Sequence, residues 1–348
     1  MSVDPLLPQR RARYAGKHPR RFDEKYKEHD AARYAEEASK IVLGGKTLAG
    51  THRSVCVAEI LAILDPRPGQ VVLDATLGYG GHAREILARI IPGGCLWGID
   101  ADPVEIKRTV ARLTALGYGE EVFKARCMNF AGVSRLAAEA GQGFDLILAD
   151  LGVSSMQLDD PARGFTFKHE GPLDLRLNPG RGQSAAALLQ SLSEKDFEQI
   201  LIAHADEPQA KGIAKAVFKC RQPILTTTAL CAAVRRALPR PSTDAAEEEN
   251  TRSVRRTFQA LRIAVNDEFQ VLEQFLRHLP FCLKPGGKAA ILTFHSGEDN
   301  RVMQALEAGC VSGVYAAISR EPIRAGAQER HDNPRSRSAV VRWAQRSL

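Results

Sequence analysis

An alternation of short apolar runs with amphipathic segments between residues 51 and 150 constrains the fold of this chain more than any other feature. The runs that predict strands are "GQVVLDAT", "GCLWGID", "EVFKARCM" and "FDLILAD", and helix-like stretches such as "HAREILARII" and "PVEIKRTVARLTAL" lie between them. Strands that alternate with helices form right-handed βαβ units around a parallel sheet. We therefore predict an α/β fold whose ligand binds at the carboxyl ends of the strands.

The alternation stops after Asp150. Residues 151–183 are rich in glycine, proline and polar residues, and three helical patterns follow: "SAAALLQSLSEKDFEQILIAHA", "AKGIAKAVFKCR" and "TTTALCAAVRRAL". The run "PRPSTDAAEEENTR" predicts a loop, "FQALRIAVNDEFQVLEQFLRHL" predicts one long helix, and "KAAILTFHS" predicts a strand that returns to the sheet. The predicted division is an extension over 1–50, an α/β domain formed by 51–158 and 251–348, and a helical insertion over 159–250.

A glycine-rich turn, "DATLGYGGHA", follows the first predicted strand. Gly78, Gly80 and Ala83 have the G-x-G-x-x-G/A spacing of dinucleotide sites. Asp100, at the end of the second strand, suits the ribose of either a dinucleotide or an adenosyl ligand. Asp74 would repel a pyrophosphate and attract the ammonium and sulfonium of S-adenosylmethionine. The turn thus favours a cationic methyl donor over a nicotinamide cofactor, with simple capping of the turn by Asp74 as the structural alternative.

The net charge of +7 is carried by the two ends of the chain. Residues 1–50 hold 11 Lys and Arg against 7 Asp and Glu, residues 320–348 hold 7 against 3, and the rest holds 30 against 31. Basic segments that flank a near-neutral body suit a polyanion such as RNA, because each phosphate contact releases counterions. On charge alone, a solvated tail that aids solubility is an equal alternative.

The cysteines and the hydropathy of the chain exclude several classes of protein. The seven cysteines are scattered, odd in number and form no C-x-x-C pair, so we predict reduced, mostly buried thiols, with no disulfide framework and no bound metal. No apolar run approaches the ~20 residues of a membrane span, and the N-terminus lacks the apolar stretch of a secretory signal. We expect a cytoplasmic location and no membrane partner.

Nine sequence blocks together carry a resemblance to one family. They are "GTHRSVCVAEIL", "DATLGYGGHA", "GIDADP", "FDLILADLGVSSMQLDDPARGFTF", "GPLDLRL", "GQSAAALL", "RRTFQALRIAVNDEF", "LKPGGKAAILTFHS" and "NPRSRSAVVR". In order and spacing they resemble the bacterial 16S ribosomal RNA cytosine-N4 methyltransferases, the RsmH or MraW family, from about residue 51 onward. The resemblance implies a class I methyltransferase fold with a helical insertion, S-adenosyl-L-methionine as cofactor, and a decoding-region cytidine of the small ribosomal subunit as substrate. It leaves a homodimer open.

The resemblance also implies site residues. Those for the methyl donor are Gly80, Gly81, His82, Asp100, Phe130, Asp150 and Gln157. Phe130 matches a position beside the adenine, where an aromatic ring offers a stacking surface, and ordinary core packing is its alternative.

The acceptor chemistry points to the loop after the fourth strand. A cytosine exocyclic amine is a poor nucleophile, so the site should offer acceptors that orient it and receive its proton. Asp150, Ser154 and Ser155 provide such acceptors, and His295 after the late strand could orient the cytosine. Because "DLGVSS" stands where DNA amino-methyltransferases carry an N/D-P-P-aromatic tetrapeptide, a structural or donor-binding Asp150 remains as open as a proton acceptor.

The position that is methylated can be predicted from the cysteines. Methylation of cytosine C5 requires a thiolate that attacks C6 first, and "ADLGVSSMQLDD" contains no cysteine. We therefore predict transfer to N4.

Two segments bear on RNA contact. The blocks "RGFTF" and "GPLDLRL" hold Arg163, Phe165, Phe167, Asp174 and Arg176, which could stack a base and neutralise phosphates. The chain departs from the family pattern at "FHSGEDNR" and at "HADEPQAKGIA", where Pro208 takes a position usually held by Arg. A nicotinamide-dependent oxidoreductase and a non-catalytic RNA-binding or assembly factor remain the alternative functions.

Overall fold

A computed structural model describes residues 54–348, apart from Gln142 and the side chain of Ser155. The predictions for the basic extension 1–50 therefore lie outside the described residues.

Within the described residues, seven strands form one sheet in the order β3-β2-β1-β4-β5-β7-β6. The strands are β1 (Val71–Asp74), β2 (Cys95–Asp100), β3 (Phe123–Cys127), β4 (Phe144–Asp150), β5 (Leu283–Thr293), β6 (Tyr315–Ile318) and β7 (Val340–Arg346). Neighbours among β1 to β5 are parallel, whereas β7 runs antiparallel to both β5 and β6. This is the doubly wound α/β sheet of a class I methyltransferase, as predicted.

The helices of the described chain fall into two groups. Those that pack around the sheet are α1 (Val57–Leu64), α2 (Gly81–Ile90), α3 (Pro103–Ala115), α4 (Val133–Glu139), α11 (Glu268–Cys282) and α12 (Ser296–Val311). Those that lie between β4 and α11 in the chain are α5 (Ser155–Asp159), α6 (Ala185–Ser191), α7 (Glu194–Ala205), α8 (Ala210–Phe218), α9 (Thr227–Ala237) and α10 (Asp244–Asn266). A short helix, α13 (Ala327–Asp332), lies between β6 and β7.

The central strands are apolar because both faces of the sheet are covered. Adjacent residues Val72 and Leu73 of β1 are fully buried in different cores, since successive side chains of a strand point to opposite faces. One core receives Phe275 of α11 and Val302 of α12. The core on the other face receives Ile86 and its neighbours from α1 to α3.

A third core holds the helical segment together. It is built from buried side chains of α6 to α10, including Phe197, Ile213, Leu230 and Leu261, which are at most 1% exposed. A set of helices with its own core agrees with the helical insertion inferred from the sequence. The boundaries at residues 158 and 250 remain predictions.

Three sequence-based predictions are wrong in this region. The segment predicted as a loop forms most of the first half of α10, where the Thr243 side chain accepts a hydrogen bond from Ala246 N and caps the helix. The predicted long helix is two helices, because Asp267 adopts a left-handed conformation with φ 50°. The predicted helix from "SAAALLQ" onward is also two, because Ser193 starts α7 with a capping box.

The prediction that most cysteines are buried is also wrong. Only Cys56 and Cys282 of the seven are buried, and Cys127 is exposed. Among the described helices, none combines the length and apolar character that a membrane span requires.

Candidate cofactor and acceptor site

Three carboxylates stand at the carboxyl ends of adjacent strands. Asp74 ends β1, Asp100 ends β2 and Asp150 ends β4, and β1 lies between the other two. Because neighbouring strands are about 4.8 Å apart, the three residues span roughly 10 Å of one edge. Burial raises the pKa of Asp74 to about 7, that of Asp100 to about 6 and that of Asp150 to about 8. Acids gathered in this way, with Asp74 buried and Asp100 and Asp150 half-buried, favour a positively charged ligand.

The turn between β1 and α2 depends on glycine. Gly78 and Gly80 have φ values of 45° and 82°, in the left-handed region that side chains disfavour. A Cβ on Gly80 would lie 2.7 Å from Cγ2 of Thr109. Gly80 is the N-cap of α2, which begins at Gly81. The structure thus places Gly80 and Gly81 at the carboxyl end of β1, beside the acids.

The two carboxyl oxygens of Asp74 differ in their contacts with residues 54–348. Its Oδ1 accepts a hydrogen bond from Thr76 N at 3.1 Å, so the capping of the turn that the sequence left open does occur. Its Oδ2 has no hydrogen-bond partner among the described residues, and Asp74 is 2% exposed. Capping and attraction of a cation are therefore compatible roles.

Asp100 ties two loops together. Its Oδ2 accepts from Gly78 N at 2.8 Å, and its Oδ1 accepts from Asp102 N at 2.8 Å. The carboxylate therefore holds the glycine turn against the loop that follows β2. Because each carboxylate oxygen has two lone-pair sites, both can still accept a ribose hydroxyl.

Asp150 faces the buried imidazole of His82. The Nε2 of His82 lies 3.0 Å from the carbonyl oxygen of Val55, and because a carbonyl can only accept, Nε2 carries the proton. The unprotonated Nδ1 lies 3.6 Å from Oδ2 of Asp150. Burial lowers the pKa of His82 to about 4, so this imidazole is a neutral acceptor at physiological pH.

Of the three predicted acceptors in the loop after β4, Ser154 is used structurally. Its hydroxyl accepts from Gln157 N at 3.2 Å, and its own N donates to Oε1 of Gln157 at 2.9 Å. This capping box starts α5. The side chain of Ser155 lies outside the described atoms. Asp150 is 28% exposed at its side chain, and its carboxyl makes no hydrogen bond to the described residues.

Asp102, which sequence reasoning missed, holds two residues of the loops around the site. It is fully buried, and its Oδ2 accepts from Nε2 of Gln157 at 2.8 Å and from Nη1 of Arg163 at 2.6 Å. The Nη2 of Arg163 donates to the carbonyl oxygens of Arg176 and Leu177. The side chain of Gln157, predicted as a donor contact, is thus bound at both ends within the protein. An Asp-Pro pair at the start of α3 predicts a helix cap, but not the second oxygen's partners.

The residues predicted to stack a base or bind phosphates have internal partners. Phe165 is 6% exposed and belongs to the third core, and the Phe167 ring lies 5.5 Å from that of Phe258. Arg176 forms a two-point ion pair with Asp174. These side chains shape the loop between α5 and α6.

His295 and Phe130 lie on either side of this edge. His295 follows β5, and its Nε2 lies 3.2 Å from Oε1 of Glu298. Burial raises the pKa of Glu298, but the His295 contact and nearby positive charge outweigh it and lower the pKa. Phe130 follows β3, is half-buried and packs edge-on against Phe275 at 5.3 Å. The core-packing alternative for Phe130 is therefore observed, and adenine stacking remains a prediction.

Comparisons with known proteins identify the family. The MraW methylase family model matches residues 49–347. "Ribosomal RNA small subunit methyltransferase H 2" of Alkaliphilus metalliredigens is 48% identical over 339 residues, 97% of this chain and 97% of that protein. "Ribosomal RNA small subunit methyltransferase H 1" of Lachnoclostridium phytofermentans is 47% identical over 338 residues, 96% of this chain and 92% of that protein.

The coverage also bears on the N-terminal extension. Because 97% of this chain aligns with the Alkaliphilus protein, most of segment 1–50 is shared with that relative.

An S-adenosylmethionine-dependent O-methyltransferase of Thermotoga maritima is a distant structural match, with a TM-score of 0.39, 10% identity and coverage of 85% of this chain and 68% of that one. The glycine turn, the acidic edge and the match over residues 49–347 agree, and the chain belongs to the MraW methylase family.

Proposed function

We propose that this protein transfers a methyl group from S-adenosyl-L-methionine to the N4 amino group of a cytidine in the decoding region of 16S ribosomal RNA. The carboxyl of Asp150 carries the proposal, because it is accessible, lies next to the acidic donor edge and has no hydrogen-bond partner among residues 54–348. The names of the relatives, ribosomal RNA small subunit methyltransferases H, support the choice of RNA.

The residues at the edge of the sheet fit this methyl donor. Asp100 has free lone pairs for ribose hydroxyls, and Asp74 and Asp150 present carboxyls to the ammonium and sulfonium groups. The Gly80–Gly81 turn allows close approach of the ligand, with His82 behind it, and Gln157 holds the neighbouring loop. When bound, S-adenosylmethionine supplies a methyl group on a positively charged sulfur.

The acceptor side requires a group that orients the amine and takes its proton. A positive charge beside Asp150 lowers the pKa of its carboxyl, which puts Asp150 in the carboxylate form that can accept a hydrogen bond from N4. After transfer, Asp150 holds the amine proton, and its Oδ2 lies 3.6 Å from the unprotonated Nδ1 of His82. Ser154 holds the loop after β4 in shape through its capping box, and His295 borders the acceptor space from β5.

The alternative functions fit less well. The pyrophosphate of a nicotinamide cofactor would lie against Asp74, whose Oδ2 has no neutralising partner among the described residues. A non-catalytic assembly factor does not require the buried acids, which raise the free energy of the ligand-free fold.

Nucleoside mass spectrometry tests the proposal. Small ribosomal subunits from cells that lack the gene are incubated with the protein and S-adenosylmethionine, and the RNA is digested and separated so that N4-methylcytidine and 5-methylcytidine are resolved. We expect N4-methylcytidine with the native protein and a large loss of rate with Asp150→Ala. Methylation of another nucleoside, or none, would refute the proposal.

The oligomeric state of the protein is tested by a separate experiment. The resemblance leaves a homodimer open, and sedimentation of the full-length protein with and without subunits distinguishes it from a monomer.

A further inference from the structure

A polar pocket lies where the helical insertion meets the end of β5. It has a volume of about 150 Å³ and is bordered by the end of α7, by α10 and by the first turn of α12. It begins at His295, and Leu292, three residues earlier, pairs in register with Asp150. The pocket is therefore a neighbour of the acceptor site and is separate from the acidic donor edge.

Several lining groups of this pocket have unused hydrogen-bonding capacity. The side-chain amide of half-buried Gln259, the amide of exposed Asn300 and the hydroxyl of exposed Ser296 make no hydrogen bond to any residue in the described range. Nδ1 of His204 lies 3.2 Å from the carbonyl oxygen of Ala260, so Nδ1 carries the proton and Nε2 is an acceptor. Donors and acceptors are thus mixed around one small space.

The charges at the pocket disfavour a phosphate. Asp206 stands at the rim, and Arg301 donates Nε to Oε1 of Glu273 at 3.0 Å and Nη1 to the carbonyl oxygen of Gly297 at 2.9 Å. Cζ of the Arg301 guanidinium also lies over the Phe269 ring, 3.6 Å from its centroid. Because this cation is already paired and Asp206 would repel an anion, a neutral ligand with several hydrogen-bonding atoms fits better.

We propose that this pocket binds an unstacked base of the RNA, adjacent to the acceptor cytidine, through the amides of Gln259 and Asn300. Amide side chains carry one acceptor and two donors, which match the edge of a nucleobase. Proteins read single-stranded RNA by hydrogen bonds to unstacked bases. The inference rests on the proposed function and identifies how that site selects its sequence context.

Direct binding is measured by nuclear magnetic resonance on the full-length ¹⁵N-labelled protein, saturated with S-adenosylhomocysteine so that the donor site is blocked. The side-chain amide signals of Gln259 and Asn300 are assigned from the variants Gln259→Leu and Asn300→Leu. Cytidine, uridine, adenosine, guanosine and inorganic phosphate are titrated in turn. We expect at least one nucleoside to shift both signals and phosphate to shift neither. Signals that respond to no nucleoside, or that respond to phosphate, overturn the proposal.

Methyl transfer to small subunits supplies the second measurement. Loss of one neutral hydrogen bond predicts a roughly two- to tenfold rise in KM for either variant, with an unchanged salt dependence, because a base contact releases no counterions. The control is Gln199→Leu, the same change at an exposed position of α7 outside the pocket. An unchanged KM in both pocket variants, or a reduced salt slope, contradicts a base site. Failure of the proposed function is distinct, since the native protein would then form no N4-methylcytidine.

Discussion

Asp100→Ala separates the binding role of one carboxylate from its structural role. The carboxylate accepts hydrogen bonds from the backbone N–H groups of Gly78 and Asp102, both at 2.8 Å. Removal leaves two donors without partners, at about 1 to 3 kcal/mol each, so we expect the free energy of unfolding to fall by about 2 to 6 kcal/mol. Loss of the charged ribose partner should cost a further 1.5 to 3 kcal/mol of binding, or about tenfold to 150-fold in the dissociation constant for S-adenosylmethionine.

The two quantities are measured by urea unfolding and by calorimetric titration with S-adenosylmethionine. A matched control exists at the opposite edge of the sheet, where Oδ2 of Asp145 accepts from Val71 N at 2.7 Å and from Nζ of Lys284 at 2.8 Å. Asp145 precedes Asp150 by five residues of β4, roughly 16 Å along the strand. Asp145→Ala should therefore lower the stability and leave the affinity unchanged.

Two results would refute the reasoning about Asp100. An unchanged dissociation constant in Asp100→Ala would remove this residue from the donor site. Equal losses of affinity in Asp100→Ala and Asp145→Ala would mean that affinity follows stability and not a ribose contact.

Three further predictions test the electrostatics and the chemistry. Asp102→Ala leaves the guanidinium of Arg163, 14% exposed, without its carboxylate, so urea unfolding should show a loss of about 3 to 5 kcal/mol; a loss within the ordinary range of a surface substitution would contradict the network. Burial raises the pKa of Asp74 to about 7 and that of Asp150 to about 8, so both carboxyls become charged as the pH rises through that range. The affinity for S-adenosylmethionine, relative to that for S-adenosylhomocysteine with its uncharged sulfur, should therefore increase from pH 6 to 9. A ratio of the two affinities that stays constant in calorimetry would argue against both carboxylates. Cys127 lies at the carboxyl end of β3, three strands and roughly 14 Å from β4. Cys127→Ser should therefore leave the N4-methylcytidine product unchanged. A 5-methylcytidine peak that this change abolishes would overturn the N4 assignment.

The sheet could be predicted because its strands carry a local signal. β1, β2 and β4 are short, largely apolar runs that each end in aspartate, because a strand buried on both faces must be apolar along its length. β6, at the edge of the sheet, and β7, between β5 and β6, were not predicted. β7 contains Arg342, whose guanidinium is held by Asp299 through two hydrogen bonds, and such a buried charge interrupts the apolar pattern by which strands are predicted.

Helix ends were predicted less well, because they depend on single residues and on tertiary contacts. The acidic start of α10 has the composition of a loop, yet Arg235 pairs with Glu247 and Arg256 pairs with Glu249. Such partners are distant in the sequence or are set by the helix itself. Site residues whose roles depend on tertiary contacts are likewise hard to predict from the sequence. Asp74, Asp100 and Asp150 could be predicted from their positions at strand ends, whereas the role of Asp102 depends on residues 55 and 61 positions away in the chain.

Hydrogen bonds connect the donor edge to the helical insertion without a break. Asp100 binds the N–H of Asp102, Asp102 binds Arg163, and Arg163 binds the carbonyl oxygen of Leu177. The N–H of Leu177 in turn donates to Asn266 at the end of α10, whose Nδ2 donates to the carbonyl oxygens of Leu175 and Arg262. Leu175 adopts φ 63°, a conformation that a branched side chain adopts only when its surroundings impose it. The loop that joins the two parts is thus held at one end by the buried Asp102 and at the other by the half-buried Asn266, so the acceptor side of the site keeps a defined position relative to the donor turn.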